Sequence, residues 1–176
     1  NLELKVMAQK IKTIAEEVRK NLGGGFNEGI YQNALAIELR RKNIDYLKEV
    51  NIEIFYKGQS VGVDRPDFIL TKIDNFCKPI LLELKVTNKI SDDHRMQLKS
   101  YCISLPRNNN PVLNGFSGGI LLAFPNCDIE GTSKIKIFVV DPKFNILIDE
   151  QKEEERLIVE QKLKEKEHKK QNKEKI

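Results

Sequence analysis

A chain of 176 residues, 40% hydrophobic and 32% charged, holds enough apolar material for one packed core with a charged appendage. No apolar run reaches the roughly 18 residues of a membrane span, and the charged amphipathic first 22 residues have no signal-peptide core; the expectation is an intracellular protein, cytoplasmic or in the nucleoid or nucleus, with no membrane partner. A net charge of +4 is compatible with a nucleic-acid partner without specifying one.

Residues 2–22 read as a helix, with Met7, Ile11, Ile14, Ala15, Val18 and Leu22 at helical spacing, closed by Gly23-Gly24-Gly25. That glycine run lacks a preceding strand and a following Gly-Lys-Ser/Thr, so it is not a phosphate-binding loop. A second helix is expected from about Glu28 to Lys42. Glu28 complements the dipole of its first turn, and it also shares a face with Tyr31 and Leu35, which puts a carboxylate at the end of an inward stripe.

Residues 46–57 alternate as one strand, and Lys57-Gly58-Gln59 turns the chain. A second strand is expected from about Ser60 to Thr71, at an edge or kinked because it contains Pro66. The apolar run Ile80–Val86 makes a third, completing an antiparallel meander. A third helix follows from about Ser91 to Ser104, capped by Ser91, with His94, Gln97 and Tyr101 along one face. After a polar loop from Pro106 to Ser117 come strands Ile120–Phe124 and Lys134–Val140. This order predicts an α/β, mixed α+β architecture around one sheet. Domain limits follow from composition: residues 1–149 form the folded domain. Residues 150–176 hold nine Lys/Arg and eight Asp/Glu and read as a solvated helix or disordered tail. Cys77, Cys102 and Cys127, scattered and without Cys-x-x-Cys spacing, read as reduced, buried small residues.

The chemistry concentrates on Ile80–Val86. Glu83 and Lys85 lie two apart and so point to one face of an otherwise apolar strand. They could form a core ion pair, or they could belong to a site. Asp67, opening the apolar Phe68-Ile69-Leu70, can be brought beside Glu83 by hairpin pairing. Two carboxylates suit a hard divalent ion such as Mg²⁺. Phosphodiester cleavage needs such a cation and a polarised water, with a lysine to offset developing charge. Asp64, three residues from Asp67, points to the other face of a regular strand and ranks below it. Glu38 belongs to an exposed or interfacial turn of the second helix.

Pro66-Asp67 followed by Glu83-Leu84-Lys85 resembles the PD-(D/E)XK nuclease signature, and Gln97-Leu98-Lys99-Ser100-Tyr101 resembles the Q-x-x-x-Y motif of its RecB-type members. Gly25-Phe26-Asn27-Glu28-Gly29-Ile30-Tyr31 resembles the naming motif of the GxxExxY family, a group within that superfamily. The resemblance spans roughly residues 7–125. It implies a restriction-endonuclease-like core, a central mixed sheet flanked by helices. It implies Asp67, Glu83 and Glu28 as ligands of Mg²⁺ or Mn²⁺, Lys85 as the catalytic lysine, and Gln97 and Tyr101 as supporting site residues. The function implied is a metal-dependent nuclease acting on DNA, or on RNA, and a homodimer would suit double-strand cleavage. The alternative is a catalytically inactive module of the same fold that binds nucleic acid or a protein. The segments between Asp67 and Glu83 and from Pro106 to Ser117 are longer than the family's usual loops.

Overall fold

The computed structural model describes residues 1–126 and 133–173; Cys127 and the last three residues of the charged tail lie outside the described residues. In chain order the elements are α1 (Leu2–Leu22), α2 (Glu28–Arg41), β1 (Asp45–Lys48), β2 (Ile52–Tyr56), β3 (Gln59–Asp64), β4 (Phe68–Lys72), β5 (Ile80–Val86), α3 (Asp92–Ser104), β6 (Gly118–Phe124), β7 (Lys136–Val140), β8 (Ile146–Asp149) and α4 (Glu150–Lys173). Six strands form one sheet in the order β1-β4-β5-β6-β7-β8, and β2-β3 form a separate hairpin. The β5–β6 pair is parallel and its neighbours are antiparallel, so the sheet is mixed, as expected.

The apolar runs of β5 and β6 follow from burial on both faces. Ile80, Leu82 and Leu84 join Ile120, Leu122 and Phe124 beneath α1 and α2. Leu81, Leu121 and Ala123 face the other way, with Leu98 and Cys102 of α3. The same alternation puts Glu83 and Lys85 on the α3 side. Two glycines let the layers close at the start of β6. A Cβ on Gly118, whose φ is 142°, would stand 2.2 Å from the Val140 carbonyl oxygen, and one on Gly119 would stand 2.9 Å from Leu98 of α3.

Several expectations are corrected. Residues 46–57 are not one strand: Glu49 adopts a φ of 56°, and the chain leaves β1 to enter the separate hairpin. The expected strand through Pro66 is likewise two, β3 and β4, because Pro66 has no N–H with which to continue the ladder. The antiparallel meander is therefore β1-β4-β5, with β2-β3 as an excursion from it. The short β8 was not anticipated. It follows a turn in which the Asp141 carboxylate accepts the N–H groups of Lys143 and Asn145. Cys77 is exposed; Cys102 is buried, and both are free thiols.

The first two turns of α4 are tied to the body of the protein, where Glu154 pairs with Lys136 and Glu155 with Lys89. Arg95 donates to Asp149 at 3.1 Å and to the Ile90 carbonyl at 3.1 Å, with its guanidinium 5.3 Å from the Phe138 ring centre. Lys12 of α1 pairs with Glu150 at 2.8 Å. From Lys152 onward every described side chain is exposed. Asp149→Ala leaves a mostly buried guanidinium with only the exposed Asp92 as its carboxylate partner. It is expected to cost about 3 kcal/mol, read as a lower urea midpoint with an unchanged slope. Among the described residues no helix is long and apolar enough to cross a membrane.

Candidate active site

The pairing of β4 with β5 stops at Phe68 opposite Leu82, while β5 continues to Val86 along β6. The next two positions toward the N-terminus of β4 are Asp67 and Pro66. Without a regular ladder there, side chains take over the bonds that backbone would have made. The Asp67 N–H donates to Glu83 Oε1 at 2.8 Å, and the Leu84 N–H donates to Asp67 Oδ2 at 2.7 Å. The proline thus interrupts the sheet at the point where the two carboxylates are braced by the backbone N–H groups of Asp67 and Leu84. Glu83 is 2% exposed and Asp67 is half-buried. Lys85 follows on the same face, its Nζ 4.0 Å from Glu83 Oε2.

The electrostatics run against an ordinary ion pair. Burial pushes the Glu83 carboxyl up to about 8, and the Asp67 charge adds to this; the Asp67 N–H bond and the Lys85 ammonium pull the other way and do not prevail. Burial likewise raises Asp67 to about 6, with Glu28 adding to it and the Leu84 bond, Lys85 and Lys48 opposing it. A tight Glu83–Lys85 pair would have held the glutamate low. Instead the site has too little positive charge for its buried carboxylates.

Helix α2 brings a further carboxylate, Glu28, near enough to raise Asp67. Asn27 caps it by accepting the Ile30 N–H at 3.2 Å, which places Glu28 in its first turn. The motif tyrosine is an anchor: Tyr31 is fully buried, stacks on Phe124 at 4.8 Å and donates its hydroxyl to the Gly23 carbonyl at 2.7 Å. Between Glu28 and Asp67 stands Gln32, a residue outside every motif singled out in the sequence. Its Nε2 donates to Asp67 Oδ1 at 2.7 Å and lies 3.4 Å from Glu28 Oε1. The i+4 spacing from Glu28 was the available signal.

Helix α3 braces the site from the opposite face. The Tyr101 hydroxyl lies 3.2 Å from the Arg65 carbonyl and 3.4 Å from Asp64 Oδ1, and Gln97 Nε2 lies 3.4 Å from the same hydroxyl. These residues grip the segment just before Asp67. Burial and the charges of Glu83 and Asp64 push the phenol upward, so it stays protonated. Asp64 therefore reaches the periphery of the site through Tyr101, because the chain bends at Pro66. Glu38 is half-buried elsewhere, lining a cavity with Glu17 and Arg41 between α1 and α2.

Residues 5–134 match the family model described as the PD-(D/E)XK nuclease superfamily, well over half of the chain. The chain belongs to the PD-(D/E)XK nuclease superfamily. Its mixed sheet with flanking helices is the restriction-endonuclease-like fold of that group. The solved structure of SSO0001 is similar at 21% identity with a TM-score of 0.41; the match covers 69% of this chain and 52% of that one. This chain thus spans about half the length of SSO0001, and the likeness carries no argument about the site. No curated protein matches this chain.

PD-(D/E)XK nucleases typically use divalent metals, and the donor set here fits one. Asp67 and Glu83 are hard oxygen donors, held together and short of positive charge. Among the described residues no three His, Cys, Asp or Glu side chains are gathered into a ligand cluster. Mg²⁺ does not require one, since it is commonly held by one or two carboxylates and keeps several waters. Two further groups border the site without having been assigned to it. Lys48 acts on Asp67, and its ammonium lies 5.4 Å from the Phe68 ring centre. His94 accepts the Ser91 N–H on Nδ1 at 3.1 Å, which puts the proton of the neutral ring on Nε2. Burial and Lys85 together depress its protonation.

Proposed function

We propose that this chain is a metal-dependent nuclease that hydrolyses phosphodiester bonds of DNA at Asp67, Glu83 and Lys85, with Glu28 as a third acidic group. The observation that carries the reading is the backbone-braced Asp67–Glu83 pair, whose carboxyls are both raised despite a neighbouring lysine. A purely structural pair would have no reason to bury two acids together. Perturbed acids of this kind concentrate at functional sites.

Asp67 and Glu83 would hold Mg²⁺ or Mn²⁺, with Glu28 turned toward it from α2. When bound, the ion offsets the charge of the scissile phosphate and makes a water nucleophilic at neutral pH. Lys85 presents its ammonium to the phosphoryl oxygens and stabilises the charge that grows on them. Lys48 adds positive charge on the other side of Asp67, where a phosphate backbone would pass. His94, with its Nε2–H, has a donor for a phosphate oxygen. Gln97 and Tyr101 hold the segment before Asp67, so their role is positioning. Residues 1–149 carry this chemistry, and the charged segment from residue 150 is an appended element.

The experiment is a cleavage panel over linear, circular, single-stranded and branched DNA, with RNA beside them, in Mg²⁺, Mn²⁺ and EDTA. Metal-dependent cuts in DNA that EDTA stops are expected. Salt-dependent binding without cleavage of any substrate would replace this reading with that of a binding module. Sedimentation with cleavable duplex tests the homodimer that paired cuts would require.

A further inference from the structure

Resting on the metal-site reading above, we propose that Gln32 is the residue a divalent cation displaces: its amide occupies the space between Glu28 and Asp67.

Both of its partners are carboxylate oxygens, at 3.4 and 2.7 Å. The nitrogen must face them, because the amide oxygen would set acceptor against acceptor. The amide therefore presents hydrogens where a cation would present charge. It satisfies the geometry of the two acids and supplies no charge.

The other donors at the pair cannot leave. Asp67 Oδ2 is held by the Leu84 N–H, and Glu83 Oε1 by the Asp67 N–H; both donors are backbone. Asp67 Oδ1 is held by a side chain with three rotatable bonds. Gln32 is half-buried, and the buried face of α2 is made by Tyr31, Leu35, Ala36 and Leu39. It can swing outward without disturbing that packing. Its departure frees Asp67 Oδ1 and opens the gap to Glu28, bringing the third carboxylate into reach. The residue thus keeps the acids ordered before metal arrives and competes with the metal for them.

The test is Mn²⁺ binding by calorimetry at pH 8 without nucleic acid, with thermal unfolding of the metal-free proteins alongside. Gln32→Ala suits a helix and is not expected to impair folding. Gln32→Asn keeps the polarity but is one methylene shorter. Both variants are expected to bind Mn²⁺ about tenfold more tightly, the worth of one hydrogen bond to a charged group, and to melt at a lower temperature without metal. Unchanged or weaker binding in both variants would overturn the proposal and assign Gln32 to holding Asp67 in place. Glu83→Gln separates the two readings. If wild type binds and Glu83→Gln does not, the metal site stands whatever Gln32 does. If neither wild type nor the Gln32 variants bind, the site and this inference fall together.

Discussion

Replacing Glu83 with glutamine is expected to stabilise the metal-free protein at high pH and to abolish metal-dependent cleavage. The carboxyl of Glu83 is raised from its ordinary value near 4.5 to about 8. The folded state therefore holds the proton more tightly than the unfolded chain does. The stability this provides is complete below about pH 4.5 and is lost as pH rises through 8. Asp67, raised to about 6, acts in the same direction over a lower window. Without metal, wild type should lose a few kcal/mol between pH 4 and pH 9, because a proton held one pH unit more tightly is worth on the order of 1.4 kcal/mol. Glutamine keeps an oxygen for the Asp67 N–H and carries no proton to lose. Glu83→Gln should then melt on the order of 10 °C above wild type at pH 9, given roughly 2–4 °C per kcal/mol for a chain of this size. At pH 4 the two should melt together. A variant that melts lower than wild type at pH 9 would show that the buried charge is not the destabilising element. Added Mg²⁺ should rescue wild type at pH 9 and leave Glu83→Gln unchanged.

Lys85→Ala is expected to reduce cleavage by about 10²-fold or more, the usual effect of removing one charge-stabilising donor, while the fold and metal binding persist. Lys85 stands near the less buried end of β5, its side chain 19% exposed, and its ammonium is at the outer limit of an ion pair with Glu83. Its removal therefore costs little packing. It does remove a positive charge that lowers both carboxyls. The onset of Mn²⁺ binding should accordingly shift to higher pH in the variant. Circular dichroism and a Mn²⁺ titration across pH 6–9 check these points beside single-turnover cleavage. Lys85→Arg should not restore full rate, because the planar guanidinium does not reproduce a compact ammonium. Cleavage by Lys85→Ala at the wild-type rate would remove Lys85 from the mechanism.

The two variants probe different parts of the same arrangement. Glu83 has a cost that the folded chain bears without metal, and Lys85 opposes that cost without removing it. Gln32 explains how the acids stay ordered meanwhile: it supplies a hydrogen-bond partner and no charge.

Much of this was legible in the residues. Helical spacing placed α1 and the face of α2 that buries Tyr31 and Leu35, and Ser91 marked the start of α3. The period of two put Glu83 and Lys85 on one face of β5. What local pattern could not show was where strands exchange partners. Residues 46–57 alternate well enough for one strand, yet the left-handed Glu49 divides them between two sheets. The four-residue β8 is too short to produce a period.

For the site, the sequence by itself determined which acids and which lysine were available, and that Pro66 would disturb the strand beside them. Only the tertiary structure decided their relation. It ended the β4 ladder at Phe68, turned Asp67 onto the free edge of β5, and set Gln32 between two carboxylates far apart in the chain (Glu28 and Asp67). The physical reason is that a backbone N–H left without a strand partner must find another acceptor, and at Leu84 the acceptor in reach is the carboxylate of Asp67.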